Sequence, residues 1–134
     1  MFGYVEDATV KNLAVNGSVA VTAIGGDNIA GIAANSKNSS FVNCVNNVAA
    51  TGAAIVGGIT GTSRGDTYEG CVNLARLYSS GTKGNAGGIA GVSLGSTFDS
   101  CKNQGYVRSA GDAGGIVSQA GSGSSLRDCV NEGT

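Results

Sequence analysis

Apolar residues in this chain fall in short runs broken by Gly, Ser, Asn and Asp, and the same runs return at nearly constant intervals. FVNCVN begins at Phe41, YEGCVN at Tyr68, FDSCKN at Phe98 and LRDCVN at Leu126; VKNLAV at Val10 fits the same frame. The starts are 31, 27, 30 and 28 residues apart. A glycine-rich element precedes each copy: AGIAA from Ala30, GGITG from Gly57, GGIAG from Gly87 and GGIVS from Gly114. A period of 20 to 50 residues marks a stack of supersecondary units, none of which buries its apolar face alone.

Helix is excluded as the unit. Interior glycine costs a helix about 1 kcal/mol per site, and every copy carries glycine where a helix needs continuity. Short apolar runs bounded by turn residues predict strands, such as GGIAGVS, STFDSCKN and GYVRS. Three strands per copy, joined by turns, form one coil, and coils stack with parallel strands about 4.8 Å apart. The predicted architecture is an all-β parallel β-solenoid of about four coils, forming one repeat domain over residues 1–134. The crossover preference predicts a right-handed coil.

In such a stack equivalent residues form columns. The isoleucine column reads Met1, Ile32, Ile59, Ile89 and Ile116; the aromatic column Val10, Phe41, Tyr68, Phe98 and Leu126; the cysteine column Leu13, Cys44, Cys71, Cys101 and Cys129. All are apolar or nearly so, which predicts interior positions. The column beside the aromatics drifts through Lys11, Val42, Glu69, Asp99 and Arg127, which predicts an exposed one. From aromatic to cysteine takes three residues in every copy, a spacing that cannot keep both side chains on one face of a flat strand. A corner or bulge must lie between them. Length variation collects after Val19, Ala50, Leu77 and Val107, where the next isoleucine follows by 13, 9, 12 and 9 residues. That predicts a loop at one corner, and SSGTKGN at 79–85 has turn composition.

The GGIxG element followed by cysteine–x–asparagine resembles the GLUG-motif repeats. These occur in bacterial cell-surface and adhesin-like proteins and in the non-catalytic region of some immunoglobulin-A-cleaving metallopeptidases. The resemblance covers nearly the whole chain. The first copy departs from it, with Leu13 and Val15 where cysteine and asparagine belong. It implies a β-helical, extracellular structural or adhesive module without catalytic residues.

Composition narrows the chemistry. There are 24 glycines and no proline, histidine or tryptophan; charged residues make up 13%, and the net charge is −1. That balance argues against a basic surface for nucleic acid or anionic lipid. No apolar run is long enough for a membrane-spanning helix. The opening MFGYVEDATV reads as the interior of a repeat rather than a signal peptide, so the chain is expected to be a segment of a longer protein; its extracellular location is what the resemblance implies.

Four residue sets invite a chemical reading. The cysteines are spread over about 14 Å of column, unlike a convergent zinc site, and are expected to be buried free thiols, with a bridge between adjacent coils as the alternative. Asn46, Asn73, Asn103 and Asn131 are expected to form an inward amide ladder at a corner; the alternative is a set of sugar-contacting amides. Glu69 and Asp99, with Arg127 beyond, stand side by side as the acid pair of a polysaccharide hydrolase would, against the plainer reading of scattered surface charge. The glycine pairs lack the lysine and following helix of a phosphate loop. Asn16 and Asn38 head acceptor sequences for N-glycosylation that carry no weight in a bacterial protein. No cofactor or metal is implied. The expected function is a rigid spacer or adhesive surface for host or glycan partners, with the loop at 78–86 as the best contact. The alternatives are a polysaccharide-active enzyme and an end-to-end self-assembling element.

Overall fold

The computed structural model describes residues 1–21 and 27–134 and contains strands but no helix among them. The chain is a parallel β-solenoid of about four turns. Four sheets run along its length. Sheet A stacks Phe2–Glu6, Ala33–Lys37, Thr60–Arg64, Ala90–Leu94 and Val117–Ala120. Sheet B stacks Thr9–Lys11, Ser40–Val42, Thr67–Glu69, Thr97–Asp99 and Ser125–Arg127. Sheet C begins with Ala14–Ala20 and Val45–Gly52. It continues as pairs of shorter strands, Val72–Asn73 with Leu77–Ser79 and Lys102–Asn103 with Val107–Ser109, and ends at Val130–Asn131. Sheet D stacks Asn28–Ala30, Ile55–Gly57, Asn85–Gly87 and Asp112–Gly114. Each coil therefore contributes at least four strands rather than three, because the segment expected to run from aromatic to asparagine is split by a corner.

That corner has a specific backbone cause. The residue before each member of the cysteine column is left-handed: Asn12, Asn43, Gly70, Ser100 and Asp128, with φ between 50° and 61°. A second left-handed row, Asp7, Asn38, Gly65, Gly95 and Gly123, turns the chain from sheet A into sheet B. Asn, Asp and Gly enter this region at little cost. One left-handed residue reorients the chain, so the aromatic and the cysteine three positions later both face inward.

The register places equivalent residues over one another. Val10, Phe41, Tyr68, Phe98 and Leu126 are consecutive partners, as are Val15, Asn46, Asn73, Asn103 and Asn131. Phe41, Tyr68 and Phe98 stack with nearly parallel rings, centroids 5.1 and 4.6 Å apart, a geometry set by the strand spacing and favourable when rings are offset. Around them Ile32, Ile59, Ile89, Cys44, Cys71 and Cys101 are wholly buried. A second, smaller core of Ile29, Ala50, Val56, Leu77 and Ala86 fills the space between sheets C and D.

The columns lose burial at their ends. Leu126, expected in the core, is 47% exposed, and Leu13 and Cys129 are only half-buried. They keep the register but have a coil on one side only. Ile116, one corner earlier, is still buried.

The glycine pairs are required by close approach. At Gly58 a Cβ would meet the carbonyl of Gly88 and the side chain of Asn73; at Gly88 it would meet the carbonyl of Gly115 and the side chain of Asn103. The second glycine of each pair is the surface on which the asparagine of its own coil rests.

Candidate functional site

The asparagine row is a continuous amide ladder. Nδ2 of Asn46 donates to Oδ1 of Asn73, Asn73 to Asn103 and Asn103 to Asn131, each at 2.8 Å. The second N–H of each amide goes to a carbonyl two residues on: Val48, Ala75 and Gly105. Each Oδ1 in turn accepts the N–H of that same residue. In Asn73 and Asn103 both amide N–H groups and both oxygen lone pairs are used within the protein, whereas Asn46, next to Val15, accepts only the Val48 N–H; all three side chains are buried, away from any sugar. Asn131, in the last coil, is exposed.

The cysteines are unbridged. Sγ of Cys44, Cys71 and Cys129 lies 3.3–3.5 Å from the carbonyl oxygens of Val10, Phe41 and Phe98 on the preceding coil. Hydrogen bonds with the Cys101 and Cys44 thiols, then burial, push Cys71 up and hold it as a thiol. Burial also raises Cys129. No three Cys, Asp or Glu side chains converge as metal ligands among the described residues. A thiol reagent should modify Cys129 first and the other three only on unfolding. Native-state labelling of Cys71 at the rate of Cys129, read by mass spectrometry, would contradict the packing.

Glu69 and Asp99 are in-register neighbours on the outer face of sheet B. Arg127 forms an ion pair with Asp99, and this pairing, followed by the Ser100 hydroxyl, holds the Asp99 carboxyl below its ordinary range. A general acid needs the opposite shift. The row lies on an open strand face.

A buried acid escaped the sequence reading. Asp66 is 1% exposed and has no Lys or Arg partner. Its Oδ2 accepts the hydroxyls of Ser36 (2.6 Å) and Ser63 (2.7 Å) and the N–H of Arg64 (3.2 Å), while Oδ1 accepts the N–H of Ser39 (2.8 Å). Asp66 belongs to a row with Ser39, Ser96 and Ser124 at the corner between sheets A and B, judged from the register one residue on. Ser96 and Ser124 repeat the pattern, each pairing with a serine hydroxyl of the coil before (Ser63 and Ser93) and accepting a backbone N–H (Asp66 and Gly95). The Tyr68 hydroxyl closes the cluster on Thr60 at 2.7 Å. The signal was present as serines at repeating positions, but Ser and Asp in such segments read equally well as turn residues.

The outer face of sheet C is the other feature that sequence spacing did not show. Its two outward rows carry Ser18, Ala49, Arg76 and Tyr106, and Ala20, Thr51, Tyr78 and Arg108. Arg76 lies over the Tyr106 ring at 5.4 Å and Arg108 over Tyr78 at 5.6 Å, in alternating order on adjacent coils. The loop at 78–86 leaves the end of this face. It closes with Gly84 N–H on the Gly81 carbonyl and leaves Thr82 and Lys83 exposed. The thirteen-residue interval from Val19 to Ile32 lies partly outside the described residues.

Fold and surface together define a parallel β-solenoid repeat protein whose paired arginines and tyrosines face outward on sheet C. No known protein family, curated protein or solved structure matches the chain.

Proposed function

We propose that this chain is a non-catalytic, extracellular repeat module of a bacterial surface protein, acting as a rigid spacer that carries a binding flank for glycan or host ligands. The observation that carries this reading is the division of polar groups. The amide ladder and the Ser/Asp66 cluster use their hydrogen bonds internally, while Arg76, Tyr78, Tyr106 and Arg108 stand out on a flat, regular face. The repeat's resemblance to GLUG-motif proteins supports the same role and the same location. The enzymatic alternative is weaker because Arg127 engages Asp99, one of its two carboxylates.

The test is retention without turnover. The purified chain, run through native gels containing a panel of acidic and neutral polysaccharides, should be retarded by at least one of them and release no reducing ends from any. Cleavage abolished by Glu69→Gln, or free migration through every gel, would overturn the reading.

A second role, end-to-end self-association, has its own support. Met1 at one end and Leu126 and Val130 at the other are 73%, 47% and 47% exposed, on coils whose outer strands pair with no further strand among the described residues. Such edges template further pairing, and a head-to-tail contact of this kind extends without closing. Sedimentation velocity should show mass rising with concentration, and Leu126→Lys should hold the chain at monomer mass. Concentration-independent mass for the unaltered chain would remove this role.

A further inference from the structure

We infer that the outer face of sheet C over the third and fourth coils binds a carboxylate-bearing polysaccharide, with the Arg76 and Arg108 guanidinium groups as the anion-binding elements and Lys83 at the margin. The inference deepens the adhesive reading above and rests on it.

The cations of the molecule are unevenly committed. Lys37 pairs with Glu6, Lys102 with Glu132 and Arg127 with Asp99. Of the cations without a carboxylate partner among the described residues, Lys11 and Arg64 stand singly on sheets B and A, whereas Arg76 and Arg108 stand together on the outer face of sheet C, with Lys83 in the loop that leaves it. Glu132, on the same sheet, is occupied by Lys102 and by the Gln104 amide. Asp112, beside the loop at Gly84, accepts the Gln119 amide, so no carboxylate forms an ion pair with these cations among the described residues.

The geometry selects the ligand. Each guanidinium is positioned over a tyrosine ring, an arrangement that limits its rotamers and leaves the N–H fork at its rim available for bidentate capture of a planar carboxylate. Neighbouring coils are about 4.8 Å apart and alternate residues of a strand about 6.7 Å, so the diagonal between the two arginine Cα positions is roughly 8 Å. That spacing suits successive charged groups of a linear polymer better than one small anion. Beside the arginines the same rows shrink to Ala49, Thr51, Ser18 and Ala20, a low shelf along which a flat sugar chain can lie.

Other polyanions fit less well. Three cations are too few to track a phosphate backbone, and both rings are already engaged by guanidinium groups instead of standing free to stack on bases. An acidic peptide would gain most by adding to a sheet edge; Leu77–Ser79 is paired on both sides, and the outer edge of Val107–Ser109, the last strand of this ladder, already donates the Val107 N–H to the Thr134 carbonyl.

The experiment uses the whole chain in native gels containing polygalacturonate, neutral dextran or single-stranded DNA. Polygalacturonate should retard the protein, with apparent affinity falling as salt rises, and dextran should not. Arg76→Gln with Arg108→Gln should weaken retardation at least tenfold while the far-ultraviolet circular dichroism spectrum is unchanged. Lys11→Gln with Arg64→Gln, which removes the same charge from sheets B and A, should leave it within twofold. If the glutamine pair fails to fold, Arg76→Lys with Arg108→Lys keeps the charge, loses the fork, and should still weaken binding severalfold. Equal losses in the two glutamine pairs, or tighter retention by DNA, would overturn the inference. Retardation by dextran that ignores both pairs would overturn it while leaving the adhesive module standing; migration unhindered by any polysaccharide would remove both.

Discussion

Asn73→Ala should lower the stability of the folded chain by about 4 kcal/mol, the cost of several buried polar groups left unpaired at ~1–3 kcal/mol each. The substitution removes the acceptor for Asn46 Nδ2, the donor to Asn103 Oδ1 and both partners of the Ala75 backbone. Asn131→Ala, in the exposed last coil, should cost less than about 1 kcal/mol, as for an ordinary surface change. Denaturant titration followed by circular dichroism reads both. Equal effects at the two positions would contradict a ladder whose strength comes from burial. Asn73→Asp supplies a sign. A carboxylate there would face Asn103 Oδ1 and the Ala75 carbonyl with no proton to give. Burial would raise its folded-state pKa above the unfolded value of about 3.9. The variant should therefore be least stable at neutral pH and recover as pH falls through that raised value, with recovery complete below the unfolded one. A flat pH profile relative to the unaltered chain would mean that the side chain had turned outward.

The second large effect is expected at Asp66. Asp66→Ala strands the N–H groups of Ser39 and Arg64 and leaves two serine hydroxyls to find new acceptors, a loss of about 3 kcal/mol by the same accounting of unmade hydrogen bonds. Asp66→Ser should cost far less, within about 1 kcal/mol of the unaltered chain. It installs the residue that the same row carries at Ser39, Ser96 and Ser124, and it removes a buried charge that has no cation. Urea midpoints of the two variants decide the matter. If serine is as damaging as alanine, the carboxylate does something that a hydroxyl in its row cannot, and the cluster would need a function of its own.

How much of this was legible in the chain depends on whether a feature repeats. The isoleucine, aromatic, cysteine and asparagine columns could be read because each recurs at the same place in successive copies, and recurrence at fixed spacing survives local ambiguity. The corner before each cysteine was needed but not located, although Asn12, Asn43, Gly70, Ser100 and Asp128 are nearly all residues that tolerate left-handed backbone; their diversity hid a shared conformation. Asp66 was missed for the opposite reason, as one acid in a row of serines. The Arg–Tyr face was out of reach because it exists in two coils only. It depends on Arg76 and Tyr106 being neighbours, a relation that no local spacing expresses and that only the register supplies. Leu126 shows the limit of column logic: membership predicts direction, but burial also needs a neighbour on both sides.

The chain enters the stack at one end and leaves it at the other, and every coil is hydrogen-bonded to the next through its sheets. Tension applied between its termini would therefore not load all the ladders at once. It would peel the outermost coil first, its bonds parting in sequence as a zipper's do. Each released coil of roughly 28 residues would add about 95 Å of slack for one 4.8 Å layer lost. Such a rod would yield in steps under pull and rewind when the load fell.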